Sequence, residues 1–363
     1  MKVVHITPTF FDDSSIIGGG ERYTTELASV MADVVDTTLV SFSAKRRSHR
    51  QGNLKIEIYP VKHFIRGNKV NPLTFRYLVF LVAADIVHIH NIHTLISDVS
   101  CLTASLLGKR VFVTDYGGGA DLVINHKVPV FRGYQNAIAY SLFGLNFLPV
   151  DLKKKAVLIK GGINTERFCR DASLEKEKKI LYVGRILPHK GINYLIEAFR
   201  LLNRSDYKLR IIGRVYSEAF DQDLKKLAVG LPVEFVHDAD DQRLLHEYRT
   251  AIVTVLPSVH THCYGGYTPV PELMGFTLLE SQACGTPVIC TDAGAMPEFV
   301  DEGRTGFVVK QNSPEAITIA LRQILDLSTS KYLEYQNCCH EWIKSLNWST
   351  VVEKHLELYG NPE

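Results

Sequence analysis

The sequence predicts an α/β chain made of two doubly wound parallel-sheet domains. Three observations carry that prediction. The 363 residues exceed what one hydrophobic core ordinarily serves, so two domains of roughly 150 to 200 residues are expected. Short Val/Ile-rich runs alternate with helical patterns, and the runs are nearly continuous in apolar character, as parallel strands covered on both faces must be. The alternation then restarts after a junction at 161–178, where Gly161-Gly162 and the charged stretch Glu175 to Lys179 separate two arrays.

In the first array the strands fall at 2–8, 37–43, 54–60, 86–90, 110–115 and 156–160, with helices at 20–32 and 72–84. The second array places strands at 179–186, 207–213, 233–236, 252–257, 287–292 and 306–309. Its helices are expected at 191–202, 218–228, 241–249, 276–284 and 314–327. The tail at 340–360 is helical and carries Trp342, Ile343, Leu346, Trp348, Val351 and Leu356, enough apolar surface to dock. It is expected to cross back onto the first domain. The domains are therefore drawn as 1–165 with a C-terminal helix at about 345–363, and 166–344.

Composition narrows the class. An apolar fraction of 46% with 22% charged residues excludes disorder, collagen and coiled coil. Residues 1–165 carry 19 basic and 12 acidic side chains, whereas 166–363 carry 22 and 27, so an anionic partner or chance scatter is open for the first half. The seven cysteines are odd in number and form no CxxC pair, which predicts a reduced, cytoplasmic compartment. Met1 leads into a strand-like Lys-Val-Val-His-Ile without a signal-peptide layout, and the uncharged runs 133–150 and 251–271 are too interrupted to span a membrane.

In doubly wound sheets ligands bind beyond the carboxyl ends of strands, so motifs there matter most. Gly18-Gly19-Gly20-Glu21-Arg22 opens the first helix, and glycine amides at a helix N-terminus suit an anion, although a simple flexible loop has the same composition. Its spacing is not a GxGxxG tight against the strand, which disfavours a dinucleotide site. In the second array a strand ends at Gly184, followed by Arg185 and then Lys190 at the next helix. Two cations at a strand end suit a diphosphate, or are solvated surface charges. Along Pro271 to Val288, Gly275 ends a loop and a helix starts near Phe276, placing Glu272 before its N-terminus and Glu280 in its second turn. His88 and His90 share one strand face and, with His93, lack a nearby acidic or cysteine partner, so no metal site is expected. Asp238-Ala-Asp-Asp241 is expected to cap a helix rather than bind metal.

With these motifs in place the chain resembles a family 4 glycosyltransferase of the GT-B fold, the retaining group 1 enzymes that use nucleotide sugars. The resemblance rests on Gly18 to Arg22, on Gly184-Arg185 with Lys190-Gly191, and on Glu272 with Glu280. It also rests on Asp292-Ala-Gly-Ala-Met-Pro-Glu298 followed by Gly303-Arg-Thr-Gly306. It implies two Rossmann-like domains facing across a cleft, the first on the acceptor side and the second on the donor side. Arg185 and Lys190 would hold the donor diphosphate and stabilise its departing charge. Glu280 would accept hydrogen bonds from the ribose, and Glu272 would contact donor sugar hydroxyls beside the amides of Met274, Gly275 and Phe276. Gly19, Gly20 and Gly184 would approach the donor, and the base would sit near Val236 to Asp238, with His237 at its centre.

Where many relatives carry a histidine beside the transferred sugar, this chain has Tyr116, whose phenol can donate a hydrogen bond but does not titrate near neutrality. The family's Glu-Gly-Phe-Gly stands here as Glu272-Leu-Met-Gly275. Thirteen residues, Val259 to Pro271, separate Ser258 from Glu272 and either line an acceptor pocket, form a lid or are a surface loop.

The resemblance implies sugar transfer with retention from a UDP- or GDP-sugar to a hydroxyl of a glycan, lipid-linked or small-molecule acceptor, in polysaccharide or glycoconjugate synthesis. No cofactor or metal is implied, because the nucleotide sugar is a substrate. Nucleic acid is not an expected partner. Peripheral contact with the inner membrane face through Lys45, Arg46, Arg47, Arg50, Lys62, Arg66 and Lys69 is an expectation from the basic first half. The alternatives are a catalytically silent nucleotide-sugar-binding protein, or another GT-B enzyme such as a sugar-nucleotide epimerase or a phosphorylase.

Overall fold

Val3, Val4 and Ile6 are fully buried because the first strand, β1 (Lys2–Phe10), lies in the middle of a sheet with a partner on each side. The computed structural model describes residues 1–10, 19–68, 71–116 and 128–360. Gly18, Lys69 and Gly117 to Gly119 therefore lie outside the described residues. The chain forms two compact units, Met1–Gly162 with Trp348–Glu363, and Ile163–Asn347.

The first unit holds β1, β2 (Asp36–Ser43), β3 (Arg47–Gln51), β4 (Leu54–Pro60), β5 (Ile86–His90), β6 (Arg110–Thr114), β7 (Asn136–Ala139) and β8 (Ala156–Leu158). They form one sheet in the order β3-β4-β2-β1-β5-β6-β7-β8, parallel except for β3 on β4. Alternate residues of the central strands, Val4, Ile6, Val40, Phe42, Val87, Ile89, Val111 and Val113, pack in one core. Leu39, Leu54, Ile56 and Ile58 pack with Ala28 of the Gly19–Ala32 helix in a second cluster. Such two-sided cover is what the apolar runs require.

Three elements here depart from the sequence expectation. β3 reads Arg-Ser-His-Arg-Gln and is exposed throughout, a charged edge strand without apolar signal. β7 is short and carries two alanines. The helix expected at 72–84 is reduced to a 3₁₀ turn, Arg76–Leu78, and a single α-turn, Val79–Val82, because Pro72 is held in a bridge with Phe64 and the chain is still extended there.

The second unit has a six-stranded, all-parallel sheet: β9 (Lys179–Val183), β10 (Lys208–Ile212), β11 (Val233–Val236), β12 (Val253–Leu256), β13 (Val288–Thr291) and β14 (Gly306–Val309), in the order β11-β10-β9-β12-β13-β14. The tail expected as one helix is two, Thr329–Lys344 and Trp348–Gly360. The break serves the change of unit: Leu346 accepts a bond from Ile163 within the second unit. Trp348 donates to Glu26 of the first unit at 2.7 Å and packs against Tyr23 with ring centroids 4.8 Å apart and planes tilted by 58°.

Both sheets have a topological switch point. In the first, β1 leads toward β2 on one side while β5 leads toward β6 on the other; in the second, β9 leads toward β10 and β12 toward β13. Loops leaving such adjacent strands in opposite directions open a crevice at their carboxyl ends.

Candidate functional site

In the second unit the crevice beyond β9 and β12 gathers Lys190, Ser258 and Glu272. Lys190 follows β9 and opens the Ile192–Leu202 helix, and Glu272 lies between β12 and the Phe276–Ala283 helix. The Lys190 ammonium, 7% exposed, forms an ion pair with Glu272 Oε1 and lies 3.4 Å from the Pro271 carbonyl, leaving its third N–H without a partner among the described residues. Ser258 Oγ donates to the same Glu272 oxygen at 3.2 Å, so Oε2 has no hydrogen-bond partner among the described residues.

Backbone packing holds Glu272 in place. Ala295 N donates to its carbonyl at 3.0 Å, and Gly294, at φ +63°, lies so close that a Cβ would come within 2.4 Å of that oxygen. The turn therefore needs glycine.

Two helices, Ile192–Leu202 and Phe276–Ala283, begin after Gly191 and Gly275 with no side-chain cap, and their N-termini are of the kind that favours an anion. Thr277 donates to the Val183 carbonyl at 3.1 Å and fastens the second helix to the end of β9.

Arg185 is exposed, with its guanidinium 5.7 Å above the Tyr216 ring, and no carboxylate among the described residues pairs with it. It is an uncompensated cation at the strand end, beside Gly184, whose N–H donates to Ile212. Tyr182 donates to the Arg185 carbonyl at 3.0 Å and fixes the backbone at that point. Burial, with Lys190 next to it, holds the His189 imidazole down to about 4, so it adds no charge near neutral pH.

Glu280 is 3% exposed, and its Oε2 accepts from Tyr248 at 2.7 Å. Met274 is buried, next to the helix start at Phe276. His237 leaves β11 with Nδ1 3.1 Å from the Gly213 carbonyl, which makes Nδ1 the donor. Its Nε2 faces the buried carboxylate of Asp221 at 3.5 Å. The structure thus joins Lys190 directly to Glu272 and places Arg185, Glu280 and His237 each on separate partners. Asp240 caps the Asp241–Thr250 helix through the Arg243 amide at 2.8 Å, as the sequence predicts.

Tyr116 leads to a different kind of site in the first unit. Register pairs His5 of β1 with His88 of β5, and His90 stacks on His88 at 4.4 Å, so three fully buried rings meet. Their ring nitrogens include a set within 4.8 Å of one another. Proton assignment follows from the partners. His5 Nε2 lies 3.3 Å from the Met31 sulfur, which can only accept, so Nε2 carries the proton and Nδ1 is bare. His90 Nε2, 2.9 Å away, must then donate to His5 Nδ1. Tyr116 Oη, at 2.6 Å, donates to His90 Nδ1, and Thr24 Oγ1 donates to Tyr116 at 3.1 Å.

The result is one directed chain, Thr24 to Tyr116 to His90 to His5 to Met31, in which each ring is neutral. His88 lies alongside, between Thr114 at 2.7 Å and Tyr359 at 2.5 Å. Burial, reinforced by His355, holds His5 down to about 3; burial and the neighbouring rings hold His88 and His90 well below the ordinary histidine range. In this arrangement the lone pairs of His5 and His90 are taken by donors, so these two rings belong to a hydrogen-bond chain.

Burial raises the Tyr116 phenol well above its usual value. Its ring packs on Gly20, where a Cβ would stand 3.2 Å from Tyr116 Cγ, which ties the first turn of the Gly19–Ala32 helix to β6. His93 is outside the cluster, edge-on to Phe131.

Sequence reasoning missed His5, Ser258, Tyr248 and Tyr182. Their partners lie across strands or on other helices, and only the alternation that puts His88 and His90 on one face was readable in advance.

Two doubly wound units of this kind define the GT-B class of fold. A glycosyltransferase of Rickettsia africae superposes with a TM-score of 0.74 at 18% identity, covering 99% of this chain and 97% of its own. An Anabaena protein solved with UDP and glucose gives 0.69 at 15% identity, with 99% of each chain covered. Residues 165–341 match the family Glycosyl transferases group 1, and the second unit belongs to that family.

Among curated proteins, an uncharacterized glycosyltransferase of Methanocaldococcus jannaschii is 28% identical over 56% of this chain and 54% of its own length. A D-inositol 3-phosphate glycosyltransferase of Corynebacterium glutamicum is 28% identical over 54% and 47%, and a glycogen synthase of Thermodesulfovibrio yellowstonii is 24% identical over 72% and 52%. The matches span about half the length of these relatives. No helix among the described residues is long and apolar enough to cross a membrane.

Proposed function

We propose that the protein transfers a sugar, with retention, from a nucleoside diphosphate sugar to an acceptor hydroxyl. The observation that carries this reading is the second unit's switch point: Arg185, which no carboxylate among the described residues pairs with, at the end of β9, a Lys190 ammonium with one open donor against Glu272, and two helix starts without side-chain caps. Cations and helix amides there suit a diphosphate, and the open Glu272 oxygen suits a sugar hydroxyl. The match to group 1 glycosyltransferases and the UDP and glucose held by the Anabaena neighbour support the same assignment.

In the reaction the bond from the anomeric carbon to the diphosphate breaks as the acceptor oxygen attacks from the same face. The departing phosphate oxygen takes the acceptor proton. Arg185 and Lys190 stabilise the charge that builds on the diphosphate, while Glu272 orients the sugar and holds Lys190 in place. No protein nucleophile is required.

One observation favours the second reading, a nucleotide-sugar binder without turnover: the Tyr116 hydroxyl is engaged by His90 and Thr24. Melting shifts with UDP, GDP and ADP and their common sugars, followed by assay of free diphosphate release with acceptors, separate the two. Transfer predicts a shift and release of the diphosphate. A shift without release across a broad acceptor set supports the silent binder, and no shift with any nucleotide removes both.

A further inference from the structure

The segment from Val259 to Pro271 is a built element. Thr261 bridges Tyr267, the Thr268 N–H donates to the His260 carbonyl at 2.7 Å, and the His262 N–H donates to the Gly266 carbonyl at 3.0 Å, closing a hairpin over Gly265. Contacts from several elements hold it. Val259 N donates to the His189 carbonyl at 2.8 Å, and His260 N donates to Gln311 at 2.9 Å. Asn312 donates to the Thr261 carbonyl at 2.9 Å, and Tyr264 donates to Asp223 at 2.6 Å. His260 Nδ1 meets the Thr268 carbonyl at 3.0 Å, so its bare Nε2 accepts from Gly294 N at 3.4 Å. Gly294 belongs to the turn that seats Glu272, so the hairpin is continuous with the site through both its chain and this contact.

Despite this anchoring, Tyr267 is 68% exposed and Tyr264 54% exposed. Tyr267 stacks on His260, with ring planes 20° apart, and Tyr264 meets His262 edge-on. The hairpin pre-orders aromatic faces and leaves them in water, and a long, ordered loop beside a site is where binding residues are expected. Between Val259 and Pro271 there is no Lys, Arg, Asp or Glu. An uncharged surface of tyrosine and histidine does not suit nucleic acid or an anionic lipid headgroup, both of which call for cations. It suits a neutral hydroxylated ring, whose C–H face lies on the tyrosine while its hydroxyls meet imidazole and phenol.

We infer that the Val259–Pro271 hairpin is a carbohydrate-binding platform, with Tyr267 as its stacking face, that receives the sugar ring of a neutral glycan acceptor. This rests on the proposed transfer reaction and gives its acceptor a chemical class.

The test is saturation-transfer NMR with cellotetraose, maltotetraose, chitotetraose and mannotetraose on the full chain, comparing the unmodified protein, Tyr267→Ala and Tyr267→Trp. Both substitutions are at an exposed position, and the melting temperature of each variant without ligand is expected to match that of the unmodified protein. The expected result is transfer from protein to the ring C–H protons of at least one tetrasaccharide, weakened about 10-fold in affinity by Tyr267→Ala, as loss of a stacked ring implies, and kept by Tyr267→Trp. Transfer to none of the four, or equal binding by Tyr267→Ala, overturns the platform. Melting shifts with UDP and GDP, expected to be the same in all three proteins, report separately on the donor site. Their absence with sugar binding intact overturns the donor reading while supporting the platform.

Discussion

At their switch points the two units treat buried polarity in opposite ways. Beneath the first unit's switch point the polar groups are neutral: His5, His88, His90, Tyr116 and Tyr359 share hydrogen bonds in a site closed to water, and burial keeps the imidazoles uncharged. In the second unit polarity is ionic. Lys190 pairs with Glu272 at the site, and Lys179, 1% exposed, pairs with Glu247 at 2.7 Å behind it. Neutral chains fix geometry at little cost in desolvation, whereas paired charges hold a cation where an anionic ligand can meet it. The contrast assigns shaping to the first unit and charge to the second.

The largest effect expected from breaking this contrast is on turnover. Lys190→Ala should lower the rate of diphosphate release by about 10²- to 10³-fold, the usual cost of one electrostatic contact to a developing charge. Lys190→Arg should not restore it, because the planar fork does not fit a 7% exposed position against Glu272. Near-normal release by Lys190→Ala would remove the charge from the account.

Stability comes next. Glu247→Ala leaves the Lys179 ammonium buried without its principal partner and should cost about 3–5 kcal/mol in urea unfolding.

Acid should separate the units. A histidine held below its ordinary 6.5 in the folded state binds its proton only on unfolding, so stability is full above 6.5 and falls as the pH drops toward the lowered value. Each such ring contributes a slope of about 1.4 kcal/mol per pH unit in that window. His5, His88, His90 and His355 lie in the first unit against His189 in the second, and Glu247, held below the usual carboxylate range by Lys179 and Arg210 against the opposing effect of burial, keeps the second unit's pair charged until lower pH. Hydrogen exchange at pH 7.5 and 5.5, corrected for intrinsic rates, should show protection lost in β1, β5 and the Trp348–Gly360 helix while β9 and β12 keep theirs. Uniform loss would contradict the contrast.

The smallest change is Tyr116→Phe, which removes the donor to His90 Nδ1 and should cost about 1–3 kcal/mol in stability with UDP or GDP binding unchanged.

The sequence made the sheets legible because their strands are nearly continuous in apolar character, as at Ile180 to Tyr182 and at Val253 to Leu256, where Thr254 is the one polar residue. It did not show β3, whose charged edge carries no such pattern, or the helix break at Ser345 to Asn347, which serves a change of unit that local propensity does not encode. Glu272, Gly275 and Glu280 were readable from spacing around one helix. The union of Lys190 with Glu272 was not, since it joins residues on different strand ends, nor was the place of His5, which depends on β1 pairing with β5. Side chains on one element follow from periodicity; contacts between elements follow from strand order.

The central claim is that the second unit's switch point binds a nucleoside diphosphate through Arg185 and Lys190. Isothermal titration of UDP, GDP and ADP into the intact protein and into Arg185→Ala tests it most directly. The account predicts that at least one diphosphate binds and that Arg185→Ala weakens it 10-fold or more, about 1.4 kcal/mol. Equal affinity in the two proteins, or no binding by any of the three nucleotides, would contradict it.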